Sequence, residues 1–273
     1  MLSDIEDQAL SWLKPNSDKT VTNPSLKAGV SGYTYCRGFS HDGTAKGKKE
    51  NMYNYKKYVH NFIRFLYIII FYILQSHVLS LLFAGEQDKI FWDKKYETEA
   101  YIFGKEPVEF LGEHIDLLPG GKALDIAMGE GRNAVFLAKN GFNVDGCDIS
   151  EIAVKKALDL AKENNVKIHA FVADLETYKL PKNTYDVIAC FYYLQRDLVP
   201  QMKEALKPGG MIIYETYTIE NWERGLEGPK NKDYLLKPNE LLDLFKDLKI
   251  IYYRELVLNN KKAVASLIAK KLP

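Results

Sequence analysis

The sequence predicts an α/β fold: a mostly parallel sheet with helices on both faces and one antiparallel edge strand supplied by a C-terminal hairpin. Three observations carry that prediction. Residues 122–150, KALDIAMGEGRNAVFLAKNGFNVDGCDIS, read as strand, glycine turn, helix, second strand and terminal acid, half of a nucleotide-binding βαβ unit. Beyond residue 150, apolar runs of strand length keep alternating with amphipathic helical stretches, the pattern of a parallel sheet. The chain then closes with two β-rich runs, 248–258 and 263–269, around the polar turn Asn259-Asn260-Lys261-Lys262.

Each element has a local reason. Residues 123–128 are apolar and break at Gly129-Glu130-Gly131, where glycine lets the backbone approach a ligand and adopt positive φ. Val135, Phe136 and Ala138 form the apolar face of the following helix, and Asn140-Gly141 ends it. Residues 142–147 make a second strand that stops at Asp148, and Ser150 is placed to cap the amphipathic helix 151–164. A third strand, 168–172, ends at Ala173-Asp174-Leu175. The fourth, YDVIACFYY at 185–193, is so continuously apolar that both its faces must be buried. A helix at 200–206 stops at the turn Lys207-Pro208-Gly209-Gly210 and leads to a fifth strand, 211–217. A polar loop, 218–237, precedes the helix 238–245, and upstream a helix at 107–117 ends at Pro119-Gly120-Gly121.

A length of 273 residues holds one α/β domain and an appendage, divided as a low-order extension at 1–61, a hydrophobic segment at 62–85 and a folded domain at 86–273. A net charge of +1, with no basic stripe, argues against a nucleic-acid partner. Cys36, Cys147 and Cys190 are too few and too scattered for a disulfide framework or a zinc site, and no metal is expected. The last two lie in apolar runs and read as buried thiols.

Residues 1–61 are rich in Pro, Gly, Ser, Asn and Lys with poor apolar periodicity, apart from a short helical stretch at 3–13. An upstream start that extends the natural protein, with Met52 as its first residue, is an alternative reading. Residues 62–84, FIRFLYIIIFYILQSHVLSLLFA, run about 20 residues from Phe65 without a formal charge, enough for a helix to cross a bilayer. Lys56, Lys57 and Arg64 precede them like the flank of a signal anchor. The competing reading is a helix that packs on the following domain.

The glycine turn separates two cofactor classes. A dinucleotide site takes G-x-G-x-x-G with the pyrophosphate on a helix N-terminus. Here the spacing is Asp125-x-x-x-Gly129-x-Gly131, and Arg132-Asn133-Ala134 stands where the third glycine would be. Asp148, at the second strand's tip, can accept two hydrogen bonds from ribose hydroxyls. This form resembles the first motif of class I S-adenosylmethionine (SAM)-dependent methyltransferases. From Trp92 onward the sequence resembles the tellurite-resistance (tellurite methyltransferase)-like branch of that class, through WDKKYETEAYIFGKEP, LDIAMGEGRNAVFLA, VDGCDIS, ADLE, YDVIACFYYLQRDL, LKPGG, YETYT and GPKNKDYLLKPNEL.

The resemblance implies a Rossmann-like seven-stranded sheet, with SAM lying across the C-terminal strand ends and S-adenosylhomocysteine as product. It places Asp125, Gly129 and Gly131 along the methionine and ribose, Asp148 on the ribose hydroxyls and Ile149 against adenine. Asp174 would take the adenine amino group, Leu175 would supply a backbone contact, and Arg132 would reach the cofactor carboxylate. Phe191 and Tyr192 would face the methyl group, and Arg196 would sit near the acceptor, so Tyr192 and Arg196 are the catalytic candidates. Met128 departs from the small residue or cysteine of many relatives and threatens to reshape the cofactor loop.

Methyl transfer from a sulfonium is an in-line displacement in which alignment supplies much of the rate. A hydroxyl or amine acceptor needs a base, and no His-Asp or Lys pair stands beside the motifs. His169 reads as structural, while Tyr192, Tyr193, Glu215 and Tyr217 can shape the acceptor pocket. The expected partner is therefore a small-molecule acceptor, soft or anionic, such as a thiol or a metalloid oxyanion. Three competitors remain: a non-catalytic SAM-binding module tethered at a membrane, a nicotinamide oxidoreductase, and a nucleic-acid or protein methyltransferase. The catalytic domain is expected in the cytoplasm, where SAM is held, with membrane contact through 62–84. A basic flank orients the opposite way, and the chemistry of the domain outweighs that signal.

Overall fold

The computed structural model describes residues 45–273, and side chains within 52–75 and 85–273. The expected helix at 3–13 and Cys36 lie outside the described residues. Among the described residues, Phe65–Pro273 form one compact unit, and those up to Arg64 belong to a second. The expected boundaries at 61/62 and 85/86 both fall inside one helix, α1 (Ala45–Tyr96), so residues from Ala45 to Asn61 are helical where a low-order extension was expected. Within α1, Met52–Gln75 is long and apolar enough to cross a membrane by length and composition. Phe65, Phe71, Tyr72 and Leu74 are exposed, so along this stretch the helix does not pack on the domain as one alternative held. A helix apolar on all sides is the kind that protein or lipid ordinarily buries.

Seven strands form one sheet: β1 (Lys122–Ile126), β2 (Asn143–Asp148), β3 (His169–Val172), β4 (Tyr185–Phe191), β5 (Leu206–Tyr217), β6 (Lys249–Leu258) and β7 (Lys262–Lys270), in the order β3-β2-β1-β4-β5-β7-β6. β1 to β5 pair in parallel. β7 is antiparallel to both β5 and β6, so the antiparallel strand lies inside the sheet and β6 forms the edge. The expectation of an antiparallel edge strand is corrected accordingly. The hairpin folds back into the gap beside β5 because its second strand is the more apolar: 263–269 are buried throughout, whereas β6 is half-exposed.

The helices are α2 (Glu109–His114), α3 (Arg132–Lys139), α4 (Glu151–Glu163), α5 (Val199–Ala205), α6 (Ile219–Glu223) and α7 (Glu240–Leu244). Alternation along the strands feeds two cores. Leu124, Ile126, Ile188, Ile212 and Leu267 point one way, toward Leu198, Met202, Leu241 and Phe245. Ala123, Val144, Val187, Ala189, Ile213 and Ile268 point the other way, toward Phe110, Leu111 and Leu137. In α3 the buried apolar residues are Ala134, Val135 and Leu137; Phe136 and Ala138 are half-buried, which shifts the predicted apolar face by about one position. The expected turn at 207–210 is absorbed into β5, where Gly209 at φ +80 takes up the irregularity as the register with β4 shifts between Tyr185 and Val187. Cys147 and Cys190 are buried free thiols, as their apolar runs implied.

The Met128 side chain packs into the core. It is buried among Val144, Ala134 and Leu137, and its sulfur occupies the space that a side chain at Gly146 would need. The larger residue is thus accommodated by a glycine on the neighbouring strand.

Candidate active site

The tips of β1, β2, β4 and β5 converge with the loop after β3, and the sheet order puts the reversal point between β1 and β4. In open α/β sheets a ligand binds at such a switch point. β1 delivers Asp125, which is 1% exposed and has one oxygen, Oδ2, without a hydrogen-bond partner among the described residues. Burial pushes its carboxyl up to about 7, while the Ala134 N–H and the Arg132 charge pull the other way.

The turn that follows is tight. Gly131 N–H donates to the Met128 carbonyl, and Val135 N–H to that of Gly131. Gly129 and Gly131 take φ +56 and +84, and a Cβ at Gly131 would strike Ala157 of α4. Ala127, two residues before Gly129, also lies in the left-handed region at φ +50, a strain of about 1–2 kcal/mol for a residue with a Cβ. Ala127→Gly is expected to stabilise the fold by about 0.5–1 kcal/mol, raising the urea midpoint at unchanged slope. A lower midpoint would mean that the loop needs the alanine methyl group.

Asp148 ends β2 with its carboxylate buried. It accepts the N–H of Gly129 at 2.8 Å and that of Ser150 at 3.0 Å, so it clasps the glycine turn to the start of α4. Burial raises its carboxyl, and the backbone donors oppose the rise. Ser150 caps α4 through Ala153 N–H, and Ile149 between them is half-buried. After β3, Asp174 accepts the Glu176 N–H at 2.9 Å and lies under Gly85 of α1, where a Cβ would collide with its carboxylate. Leu175 is buried, and its carbonyl accepts from Gln195.

The C-terminal turns of α1 reach the same place, a contribution that sequence reasoning did not find. Asp93 accepts from Ser150 Oγ at 2.6 Å and from Ile152 N–H at 3.4 Å, which docks α1 on the N-terminus of α4, where a carboxylate is favoured. Tyr96 is 4% exposed and stacks on Trp92, and its hydroxyl stands 2.9 Å from where a Gly129 Cβ would be. Glu130, buried between the glycines, pairs with Lys156 at 2.6 Å and accepts the Phe103 N–H. Arg132 donates to the Phe103 carbonyl at 2.6 Å. As a sequence, Trp92, Tyr96 and Phe103 fit a lid over a ligand and ordinary packing equally well. Nothing in the pattern distinguished Glu130 or Asp93 from solvated acids.

On the far side of the switch point, Phe191 is buried and Tyr192 follows it at φ +58, a strained conformation for a non-glycine residue and one that clusters at functional sites. Tyr192 donates to Glu215 Oε1 at 3.0 Å, and Lys262 Nζ donates to Tyr192 Oη. The sequence showed no lysine beside the motifs because Lys262 is 70 residues away along the chain and sits in what reads as an ordinary hairpin turn. Arg196 is placed differently from its neighbours in sequence. Its guanidinium forks onto Glu240 at 2.6 and 3.0 Å and donates to the carbonyls of Asp233 and Leu235.

With this geometry in place, the likeness to known proteins is specific. Residues 123–210 match a family described as "Methyltransferase domain". Over 145 residues the chain is 32% identical to a ubiquinone biosynthesis O-methyltransferase of Rickettsia akari, covering 46% of this chain and 57% of that one. Over 176 residues it is 26% identical to the probable SAM-dependent methyltransferase TehB of Haemophilus influenzae, covering 60% and 57%. The chain thus spans less than two thirds of the length of these curated relatives. The crystal structure of TehB from H. influenzae superposes with a TM-score of 0.50 at 21% identity, over 67% of this chain and 66% of that one, and supports the fold. Residues 123–210 are thus similar to methyltransferase domains, and SAM is the cofactor that this likeness implies. The residues present fit that cofactor: a buried carboxylate with one oxygen unpartnered among the described residues, Asp125, suits an ammonium, and acids at successive strand tips disfavour a pyrophosphate.

Proposed function

We propose that this protein is a SAM-dependent methyltransferase acting on a small molecule whose accepting atom is soft or anionic. The observation that carries the reading is the buried, half-satisfied Asp125 carboxylate beside the Gly129–Gly131 turn, with the Asp148 carboxylate at the next strand tip. SAM supplies an electrophilic methyl on a sulfonium, and this chain's residues bind, orient and exclude water. In the reading, Asp125 holds the amino group, Asp148 the ribose hydroxyls and Ile149 an adenine face, while Leu175 supplies a backbone contact and Asp174 takes the adenine amino group. Gly129 and Gly131 allow close approach, and Arg132 guards the carboxylate end while tethering the 97–104 segment through Phe103. Phe191 and Tyr192 wall the acceptor side.

Arg196 enters as a positioning residue, because most of its donors go to Glu240 and to two carbonyls of the loop before α7.

Calorimetric titration of S-adenosylhomocysteine into the full chain tests the reading. Micromolar binding is expected, and Asp148→Ala is expected to weaken it by about 1–3 kcal/mol, the scale of a lost hydrogen bond to a charged group. Turnover with thiols, selenite or tellurite then follows product formation. Arg196→Ala is expected to slow turnover more than it weakens binding; the reverse pattern would move Arg196 to the cofactor. A folded protein that takes up no S-adenosylhomocysteine would sink the assignment.

A further inference from the structure

The antiparallel insertion of β7 has a chemical consequence at the acceptor side. Because β7 runs against β4 and β5, its first residue, Lys262, arrives at the end of the sheet where those strands finish. There Lys262 Nζ donates to Tyr192 Oη and lies 4.6 Å from the centre of the same ring. Tyr192 in turn donates to Glu215 Oε1 at 3.0 Å, and the other Glu215 oxygen accepts from Ser266 Oγ at 2.6 Å. Glu215 is 1% exposed, and Arg254 stands 3.8 Å from it.

The direction of this chain of hydrogen bonds is determined by its ends. A carboxylate only accepts and an ammonium only donates, so the tyrosine hydrogen must point to Glu215 and its lone pair to Lys262. One of the three ammonium protons is thereby used, and the other two have no partner among the described residues. The Tyr217 ring lies tilted against that of Tyr192, 5.2 Å between centres, and the Arg132 charge acts on Tyr192, Tyr217 and Lys262 alike. Burial and Arg132 push the Lys262 amine down, while Glu215 and Glu109 push it up. A half-buried ammonium with free donors, backed by a second cation, suits a negative ligand.

We infer that Lys262, oriented by the Tyr192–Glu215–Ser266 chain, forms with Tyr192 a subsite that binds the methyl acceptor as an anion of the phenolate, thiolate or oxyanion class. The inference rests on the methyltransferase reading above. Lys262 stabilises the acceptor's ionised form, so its proton is lost to solvent before transfer and no general base is needed during the displacement. The acceptor's electron pair forms the new bond to carbon while the carbon–sulfur pair stays on sulfur. Methylation removes the acceptor's negative charge, and with it the attraction of Lys262, which favours product release.

The test uses 4-nitrophenol, whose ionised form absorbs visible light, titrated into the full chain saturated with S-adenosylhomocysteine. Bound probe is expected to ionise about one pH unit lower than free probe, a roughly tenfold preference for the anion. Lys262→Met is expected to abolish the shift with S-adenosylhomocysteine affinity within about twofold, Lys262→Arg to keep most of it, and Tyr192→Phe to reduce it in part. An unchanged shift in Lys262→Met, or no probe binding by the cofactor-loaded wild type, would overturn the subsite and leave the methyltransferase reading standing. Failure of the folded wild type to take up S-adenosylhomocysteine would instead overturn that reading and the subsite with it.

Discussion

Lys156→Met is expected to destabilise the protein by about 3–5 kcal/mol, the cost of stranding a buried charge. Lys156 Nζ lies 2.6 Å from Glu130 Oε1, and the two side chains are only 13% and 2% exposed. The same ammonium donates to the carbonyls of Tyr96, Thr98 and Ala100, so it also fastens the segment after α1 to α4. Removing it leaves Glu130 in the glycine turn without its counter-charge and frees the chain that carries Phe103. Methionine keeps most of the apolar stem, so the loss reports charge rather than packing. Urea unfolding of wild type, Lys156→Met, Glu130→Gln and the double variant measures it as a thermodynamic cycle. The double variant is expected to be more stable than Lys156→Met, since it removes both members of the pair. A single variant within about 1 kcal/mol of wild type would show that solvent replaces the lysine.

The second large effect is pH-dependent and centres on Asp125. Its carboxyl is pushed up to about 7 in the fold, from an ordinary value of 3.8. A carboxyl raised on folding favours the native state while it is protonated in both states. Its contribution is therefore full below about 4 and is lost as pH rises through about 7. The ligand-free protein is expected to lose stability over that interval, with Asp148, also raised by burial, contributing in the same direction. Binding runs the other way. An ammonium beside Asp125 favours the ionised carboxyl, so S-adenosylhomocysteine should bind more tightly as pH rises from 6 to 8 and release protons near pH 6.5. Calorimetry in two buffers of different ionisation enthalpy reads that release, and Asp125→Asn should remove it while weakening binding. Equal heats in the two buffers at pH 6.5 would place the ligand's cation elsewhere.

The local grammar of this fold was readable residue by residue. Gly129 and Gly131 announced a turn that only a small residue can make, and both take the left-handed conformation. Asn140-Gly141 ended α3, and Ser150 capped α4 through the Ala153 N–H. The apolar run at 185–191 became a central strand, and the acids of the first two strands stand at the tips where the motif put them. Such features depend on a few adjacent residues, whose backbone preferences and hydrophobic period act over one or two turns.

What the sequence determined by itself, then, is the βαβ core, the glycine turn with its strand-tip acids and the identity of the strands. Only the tertiary structure decided the acceptor side and the clasps around it. Lys262 meets Tyr192 because β7 inserts antiparallel beside β5, a choice made by the burial of 263–269 between two strands. Lys156 meets Glu130 because Gly131 lets α3 and α4 approach, and Asp93 meets Ser150 because α1 ends on α4. Arg196 pairs with Glu240, 44 residues on, which the folded chain places within reach of its fork. Charged side chains have no period that marks a partner. Their pairing is decided by which strands and helices become neighbours, and that is a property of the packed sheet.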